Sequence, residues 1–281
     1  GIRFGLGVRR HDMLALSAWP STGEHMHDLA EPPVATSSST IQAVVAGTRL
    51  TVVEGGSERL KLLLRLIDGA QVSVRLLFYM MDADAAGEAV RDALVRAVQR
   101  GCAVSVILDG FGSDIPSDFF APLKQAGGSS CLFNPRLGVR YLLRNHQKLV
   151  VIYDREAITG GANITVDYMS DHGEERWRDL WLHIEGPAVR PAARYFDALH
   201  EWTTRKGPKL RALRRLLHRH TQRKGPLQWQ YSGPVRRGHP WTVEVARELH
   251  TAGRLDMISA YFSPPFAMLR RLRKLGSRGE V

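Results

Sequence analysis

Hydrophobic positions first fall into a regular pattern near Arg49. Leu50 to Val53 is a short apolar run that predicts a strand, and Glu58 to Ile67 repeats its leucines at helical spacing. Val72 to Met80 then predicts a buried strand, and Ala85 to Arg100 a helix with Ala89, Val90, Ala93, Leu94 and Val98 along one side. Ala103 to Leu108 predicts a second buried strand. Strands alternating with helices in this way imply an α/β fold, a layered sheet flanked by helices. Residues 1–40 show no such period: they mix Gly, Ser, Pro and His and end in Glu31-Pro32-Pro33 and Ser37-Ser38-Ser39, so a disordered tail is expected there.

The pattern repeats. Ala70-Gln71-Val72-Ser73-Val74, Leu77-Phe78-Tyr79, a helix and Arg100-Gly101-Cys102-Ala103-Val104 are echoed later in the chain. The echo is Ala252-Gly253-Arg254-Leu255-Asp256-Met257-Ile258, Ala260-Tyr261-Phe262, a helix rich in Leu and Arg, and Arg278-Gly279-Glu280-Val281. Two copies of a strand–helix–strand unit imply a duplicated domain whose second copy stops as its second strand begins. The expected organisation is a tail over 1–40, a first repeat over 41–204, a basic linker helix over 205–232 and an incomplete second repeat over 233–281. Gly1-Ile2-Arg3-Phe4 has neither Met nor the charged and apolar regions of a signal peptide, so the true N-terminus is expected to be missing.

Composition narrows the class without naming a function. With 281 residues, 44% hydrophobic and 24% charged, the chain is globular in balance, and its apolar runs fall far short of the roughly 20 residues needed to span a bilayer. Cys102 and Cys131 cannot build a disulfide framework and read as small core residues of a reducing compartment. The net charge of +11 favours anionic partners. Nine of its cations fall between Arg205 and Lys224, a stretch without acids in which Leu210, Leu213, Leu216 and Leu217 recur at helical spacing. Such a helix suits an anionic membrane surface, with Arg211, Arg214, Arg215 and Arg219 as the binding cations. The plainer reading is a surface helix that docks its leucines on the core and leaves its arginines in water. A nucleic acid partner is not expected.

Chemistry concentrates in Arg144-Asn145-His146-Gln147-Lys148-Leu149-Val150-Val151-Ile152-Tyr153 and the following Gly160-Gly161-Ala162-Asn163. Read as a strand from His146 to Tyr153, the segment puts His146, Lys148, Val150 and Ile152 on one face. Gly160 and Gly161 can bring backbone amides close to an anion, and Asn163 adds a neutral donor. A lone histidine in a strand is more often structural, and the residues by themselves leave both readings open. His11, His25 and His27 have no ligand spacing, so no metal or other cofactor is implied. Asp109, at the end of a predicted parallel strand, reads equally as a site residue or a turn former, and Tyr79 reads as core.

His146-x-Lys148, its spacing to Gly160-Gly161-x-Asn163, Trp177-Arg178-Asp179, Ile184-Glu185-Gly186-Pro187, Ile107 to Ser113 and Asn134-Pro135-Arg136 together resemble the phospholipase D superfamily. The resemblance is greatest to bacterial cardiolipin synthases. It implies phosphatidyl transfer on anionic phospholipid without metal, in two displacements through a phosphohistidine. His146 would attack phosphorus or serve as acid, Lys148 and Asn163 would hold the non-bridging oxygens, Gly160 and Gly161 would line the substrate, and Asp179 would orient an imidazole, that of the opposite repeat. Hydrolysis of phospholipid or nucleic acid, or a catalytically incomplete membrane-binding fragment, is the alternative. By strand parity Asp179 faces away from Leu180, Leu182 and Ile184; an ordinary surface carboxylate is its other reading. The family's motif aspartate falls on Tyr153, which by alternation points away from His146 and Lys148. Because a second His-Lys set is required, the chain alone is expected to be inactive unless a homodimer completes the site, peripherally on the cytoplasmic face of the bacterial inner membrane.

Overall fold

The structure is a computed structural model, and it describes residues 41–113, 115–133, 144–173, 176–205, 207, 210–231, 240–257, 262 and 264–277. The expected tail over 1–40, Asn134-Pro135-Arg136, the Ala260-Tyr261 echo and the last four residues lie outside the described residues. Strands are β1 (Gln42–Val45), β2 (Thr48–Val53), β3 (Ser73–Phe78), β4 (Ala103–Asp109), β5 (Ser129–Phe133), β6 (Leu149–Ile152), β7 (Glu156–Gly160) and β8 (Trp181–Glu185). Helices are α1 (Gly56–Gly69), α2 (Ala85–Gln99), α3 (Ala121–Gln125), α4 (Val166–Met169), α5 (Val189–Thr204), α6 (Leu210–His220), α7 (Pro240–Thr251) and α8 (Phe266–Gly276).

The eight strands form one sheet in the order β1-β2-β8-β7-β6-β3-β4-β5. β3, β4 and β5 run parallel, and every other neighbouring pair is antiparallel. Helices cover both faces, which is why the central strands are apolar at successive positions rather than alternate ones. Val74, Leu76, Val150 and Ile152 pack with Leu63 and Ile67 of α1 and Val90 and Leu94 of α2. Leu77, Leu149, Val151 and Ile184 pack on the other side with Ala192, Phe196 and Leu199 of α5. Each of the Val, Leu, Ile and Phe side chains among these contributes about 1.5–3 kcal/mol through burial. The helices are anchored across the chain: the carboxylate of Asp171 accepts from the amides of Gly56 (2.5 Å) and Ser57 (3.2 Å) at the start of α1. Burial pushes the Asp171 carboxyl up, but those bonds and the nearby Arg59 hold it below its ordinary range.

Two expectations are corrected here, and of the two readings of the basic helix the structure bears out the docking of its leucines on the core. The strand read from His146 to Tyr153 is laddered only over Leu149–Ile152; residues 144–148 approach it without pairing, and 153–155 turn into β7. Leu180 is 51% exposed, so Leu180, Leu182 and Ile184 are not one buried face. β8 lies inside the sheet between β2 and β7, and both of its faces are covered, with Trp181 and Ile184 in opposite cores. Parity alone therefore cannot orient Asp179. Finally, α6 is docked: Leu213 and Leu217 are buried in the core beneath α5 with Leu216 packed against it, so these leucines are not free to enter a membrane.

Ser39–Pro234 forms one compact unit, which holds the whole sheet. In the second, α7 and α8 pack together around Leu249 and Leu275, with Arg254 and Asp256 as isolated bridge residues between them.

Candidate active site

One edge of the sheet gathers the chemistry. β3 and β4 deliver Tyr79 and Asp109 at their carboxyl ends, where α/β sheets place ligands. β6 is antiparallel to β3, with Leu149 opposite Leu77, so the segment leading into it carries His146 and Lys148 to the same edge. β7 leaves toward that edge with Gly160 to Asn163, and β8 starts from it after Asp179, since Gly160 pairs with Trp181.

His146 is exposed, whereas Lys148 is only 4% accessible. The Lys148 Nζ lies 3.1 Å from His146 Nδ1 and 3.4 Å from Nε2, and it donates to the His146 carbonyl at 3.0 Å. The shared direction read from period-2 spacing thus holds for these two side chains, though not through a paired strand. Burial pushes the Lys148 ammonium down to about 8, against the pull of Asp179. Burial and then the Lys148 charge lower the His146 imidazole, while Asp109 and Asp179 oppose both. At neutral pH this is an unprotonated imidazole beside a cation, an arrangement that can attack an electrophile next to a bound anion.

Asn163 is buried, and its Oδ1 accepts from the Met80 amide at 3.3 Å, which leaves its amide nitrogen as the donor end. Gly160 and Gly161 serve the edge differently from the expectation. The Gly161 amide donates to the Leu180 carbonyl at 3.1 Å and is committed to the sheet rather than to an anion. A Cβ at Gly161 would come within 2.3 Å of Asp179 Oδ1, and one at Gly160 within 2.2 Å of the Leu180 carbonyl oxygen. Gly160 makes room for the backbone of Leu180 and for Trp181, and Gly161 for Asp179. That carboxylate is half-buried, accepts from the Leu180 amide at 2.6 Å, and acts on His146 and Lys148 by charge.

Four further residues build the site. Asp109 is 1% exposed; its Oδ1 accepts from the amides of Phe111 (2.9 Å) and Gly112 (3.2 Å), and its Oδ2 from the amide of Asn145 (2.7 Å). It forms the turn after β4, the second of its two readings, and also ties the residue before His146 to the end of that strand. Tyr79, expected in the core, is half-buried, with its ring 4.5 Å from that of His146 and 5.4 Å from Lys148 Nζ. Arg59 is 1% exposed and donates to the carbonyls of Glu54 (2.6 Å), Tyr168 (3.1 Å) and Asp179 (2.6 Å). Its sequence signal was an arginine on the leucine stripe of α1, in step with Leu62, Leu63 and Leu66. From beneath, the Tyr195 hydroxyl donates to Gln147 Oε1 at 2.7 Å and holds the residue between His146 and Lys148.

Tyr153 is an exposed turn residue with φ +47°, and Asp154 pairs with Arg75 at 3.1 Å rather than with the site. Arg211, Arg214, Arg215 and Arg219 lie on α6 and are not among the groups whose charges act on His146 or Lys148. Among the described residues no cluster of His, Cys, Asp and Glu could hold a metal ion, and no helix is long and apolar enough to cross a membrane.

Comparison with known proteins agrees with this geometry. The family described as cardiolipin synthase, PLD-like domain, matches residues 63–200. Cardiolipin synthase B of Salmonella typhimurium is 30% identical over 247 residues, covering 83% of this chain and 58% of the relative. The major cardiolipin synthase of Bacillus subtilis is 32% identical over 144 residues, 49% of this chain and 30% of that protein. The chain thus spans little more than half the length of the first of these relatives. Among solved structures, phosphatidylserine synthase of Haemophilus influenzae shares the fold with a TM-score of 0.63 at 12% identity, covering 82% of this chain and 60% of that one. With a matching family domain, curated cardiolipin synthase relatives and His146, Lys148, Asn163 and Asp179 on one sheet edge, this chain belongs to the phospholipase D superfamily, in its cardiolipin synthase family.

Proposed function

We propose that this chain supplies the His146 half of a phosphatidyl-transfer site that acts on anionic phospholipid through a phosphohistidine intermediate. The observation that carries the reading is the unprotonated imidazole of His146 beside the buried Lys148 cation, with Asn163 and Asp179 at the same edge. A His146 ring nitrogen attacks phosphorus; the P–N bond forms as the P–O bond to the departing alcohol breaks, and that alcohol takes a proton from a second imidazole. The acceptor alcohol then returns a proton to that imidazole, its oxygen attacks phosphorus, and the P–N bond breaks. Lys148 and the Asn163 amide stabilise the charge on the non-bridging oxygens. The second imidazole belongs to another His-Lys set, since His146-x-Lys148 is the one His-x-Lys in the chain. A second copy in a homodimer is one source, and a duplicated repeat, for which residues 233–281 would be the start, is the other. The relatives' names and the net charge of +11 support a position at a membrane, and the position proposed is peripheral, on the cytoplasmic face of a bacterial inner membrane.

The test measures lipid product from phosphatidylglycerol by chromatography in an enzyme with both His-Lys sets, and seeks a phosphatidyl adduct on the His146 peptide after quenching. His146→Ala is expected to lower transfer by roughly 10³-fold and abolish the adduct. Transfer within tenfold of the parent would overturn the assignment, and a product made only by water would make the enzyme a hydrolase. The purified chain alone is expected to be inactive, or active in a way that falls steeply on dilution.

A further inference from the structure

Where α6 packs on α5, the two helices leave a groove of about 220 Å³ on the outside of the sheet's α5 face. Leu216 and the margin of Trp202 line it with apolar surface, Arg205, Arg215 and Arg219 line it with cations, and the His220 imidazole lies beside them. The single carboxylate in the lining, Glu201, is engaged by Arg205. Arg215 and Arg219 are exposed, and no carboxylate of α6 is available to them, because the helix has none. Burial, with Arg219 and Arg194 close by, lowers the His220 imidazole below its ordinary range, as a site crowded by cations should.

An occupant must be anionic at one end and apolar at the other. Free phosphate would leave the half-buried Leu216 and the small exposed margin of Trp202 uncovered, whereas a lipid headgroup brings its glycerol carbons with its phosphate. The volume is below the roughly 300 Å³ at which drug-sized ligand pockets begin, so it suits a headgroup and not an acyl chain. Leu213 and Leu217 are locked beneath α5, so the surface that α6 offers to an occupant is its cationic side and not its buried leucines.

We propose that the α5–α6 groove is a docking seat for the phosphodiester headgroup of an anionic phospholipid at a membrane surface, separate from the His146 edge. It goes beyond phosphatidyl transfer and rests on that reading only in placing the protein at a membrane.

Co-sedimentation of the purified chain with phosphatidylglycerol-containing vesicles tests it at low ionic strength. R215Q/R219Q removes two cations from the groove, and R211Q/R223Q removes two from the same segment outside it. Glutamine keeps helix propensity, and a thermal melt of each variant checks folding. The groove pair is expected to weaken vesicle affinity about tenfold more than the outside pair, beyond the general surface attraction common to both. Equal losses would reduce α6 to a diffuse basic face and overturn the proposal. So would equal binding to pure phosphatidylcholine vesicles, or displacement by inorganic phosphate but not by chloride of matched ionic strength, which would make free phosphate the occupant. Binding is read without turnover, so a failed seat leaves phosphatidyl transfer standing, and failed transfer leaves the seat.

Discussion

At the start of β6, the approach from Asn145 to Lys148 is fixed at every residue: Asp109 holds Asn145, Tyr195 holds Gln147, and Lys148 closes on His146. At the other end, Tyr153 is 44% exposed in a left-handed turn, and Asp154 shares Arg75 with Asp197 on the surface. The signature that begins at His146 therefore spans two jobs. Its first part is chemistry sustained by buried charge, and its last position is a turn seven residues on, about 23 Å away along an extended chain. The resemblance puts the motif aspartate at Tyr153, and a departure there is tolerable because that end of the strand is an exposed turn away from His146 and Lys148.

The largest effect that would sharpen this contrast comes from Asp109→Ala. Three backbone amides lose their acceptor in a buried setting, at about 1–3 kcal/mol each when unsatisfied, and a net loss of about 3 kcal/mol is expected in urea unfolding. Transfer should fall by roughly a hundredfold, because the Asn145 anchor that aims His146 is lost. Asp154→Ala, at the far end, breaks an exposed ion pair and should cost about 0–1 kcal/mol with transfer unchanged. If the two variants were equal in either measurement, the contrast between the ends would fail.

A second, moderate effect is the pH response of Lys148, for which activity and stability should move in opposite directions. Its folded pKa of about 8 lies below the ordinary 10.5, so below pH 8 the ammonium is present in both folded and unfolded chains and its burial cost is felt in full. Between about 8 and 10.5 the unfolded chain binds more protons, and stability rises with pH. Over the same interval kcat/KM should fall as the phosphate ligand loses its charge, with a midpoint near 8. His146, held below 6.5, stays neutral throughout and sets only the acid limb. Lys148→Arg should remove the alkaline limb from the profile, whatever its absolute rate. Activity and unfolding midpoint declining together would instead point to alkaline denaturation.

The sequence was most legible where local pattern and burial coincide. The run from Leu50 to Leu108 reads correctly because each strand is dominated by apolar residues, broken only by single polar positions such as Thr51, Arg75 and Ser105, and each helix has one stripe. α5 had the same signal in Val189, Ala192, Ala193, Phe196 and Leu199 but was not read from it. At the site, His146, Lys148 and Asn163 were legible through their spacing. Their supports were not, because each is a pairing far apart in sequence: Asp109 with Asn145, Tyr195 with Gln147, Arg59 with Asp179. Tyr79 was misread because its strand neighbours Leu77 and Phe78 are fully buried, and nothing local says that the chain leaves the sheet after Phe78. The β6 limits were misread for a related reason: hydrophobicity does not distinguish an extended approach from a laddered strand, and Tyr153 is not a residue that announces a left-handed turn.

Tyr153→Asp is the smallest effect and tests the far end of β6 directly. A φ of +47° is unfavourable for a residue with a bulky side chain, and Asp accepts it more readily through local hydrogen bonding. The change forfeits the contact of the Arg155 guanidinium with the Tyr153 ring, 5.5 Å from its centroid, but offers Arg155 a carboxylate in its place. These exposed interactions nearly offset each other, which leaves the backbone as the deciding contribution, and a gain of about 0.5 kcal/mol is expected in the urea midpoint. Tyr153→Gly separates the causes: it relieves the backbone without adding charge and should recover the unstrained turn, less the entropy that glycine loses on folding. Transfer should be unchanged in both variants. A rate change above threefold in Tyr153→Asp, with stability constant, would show that charge at the turn reaches His146, and the two ends of β6 would then have to be treated as one electrostatic unit.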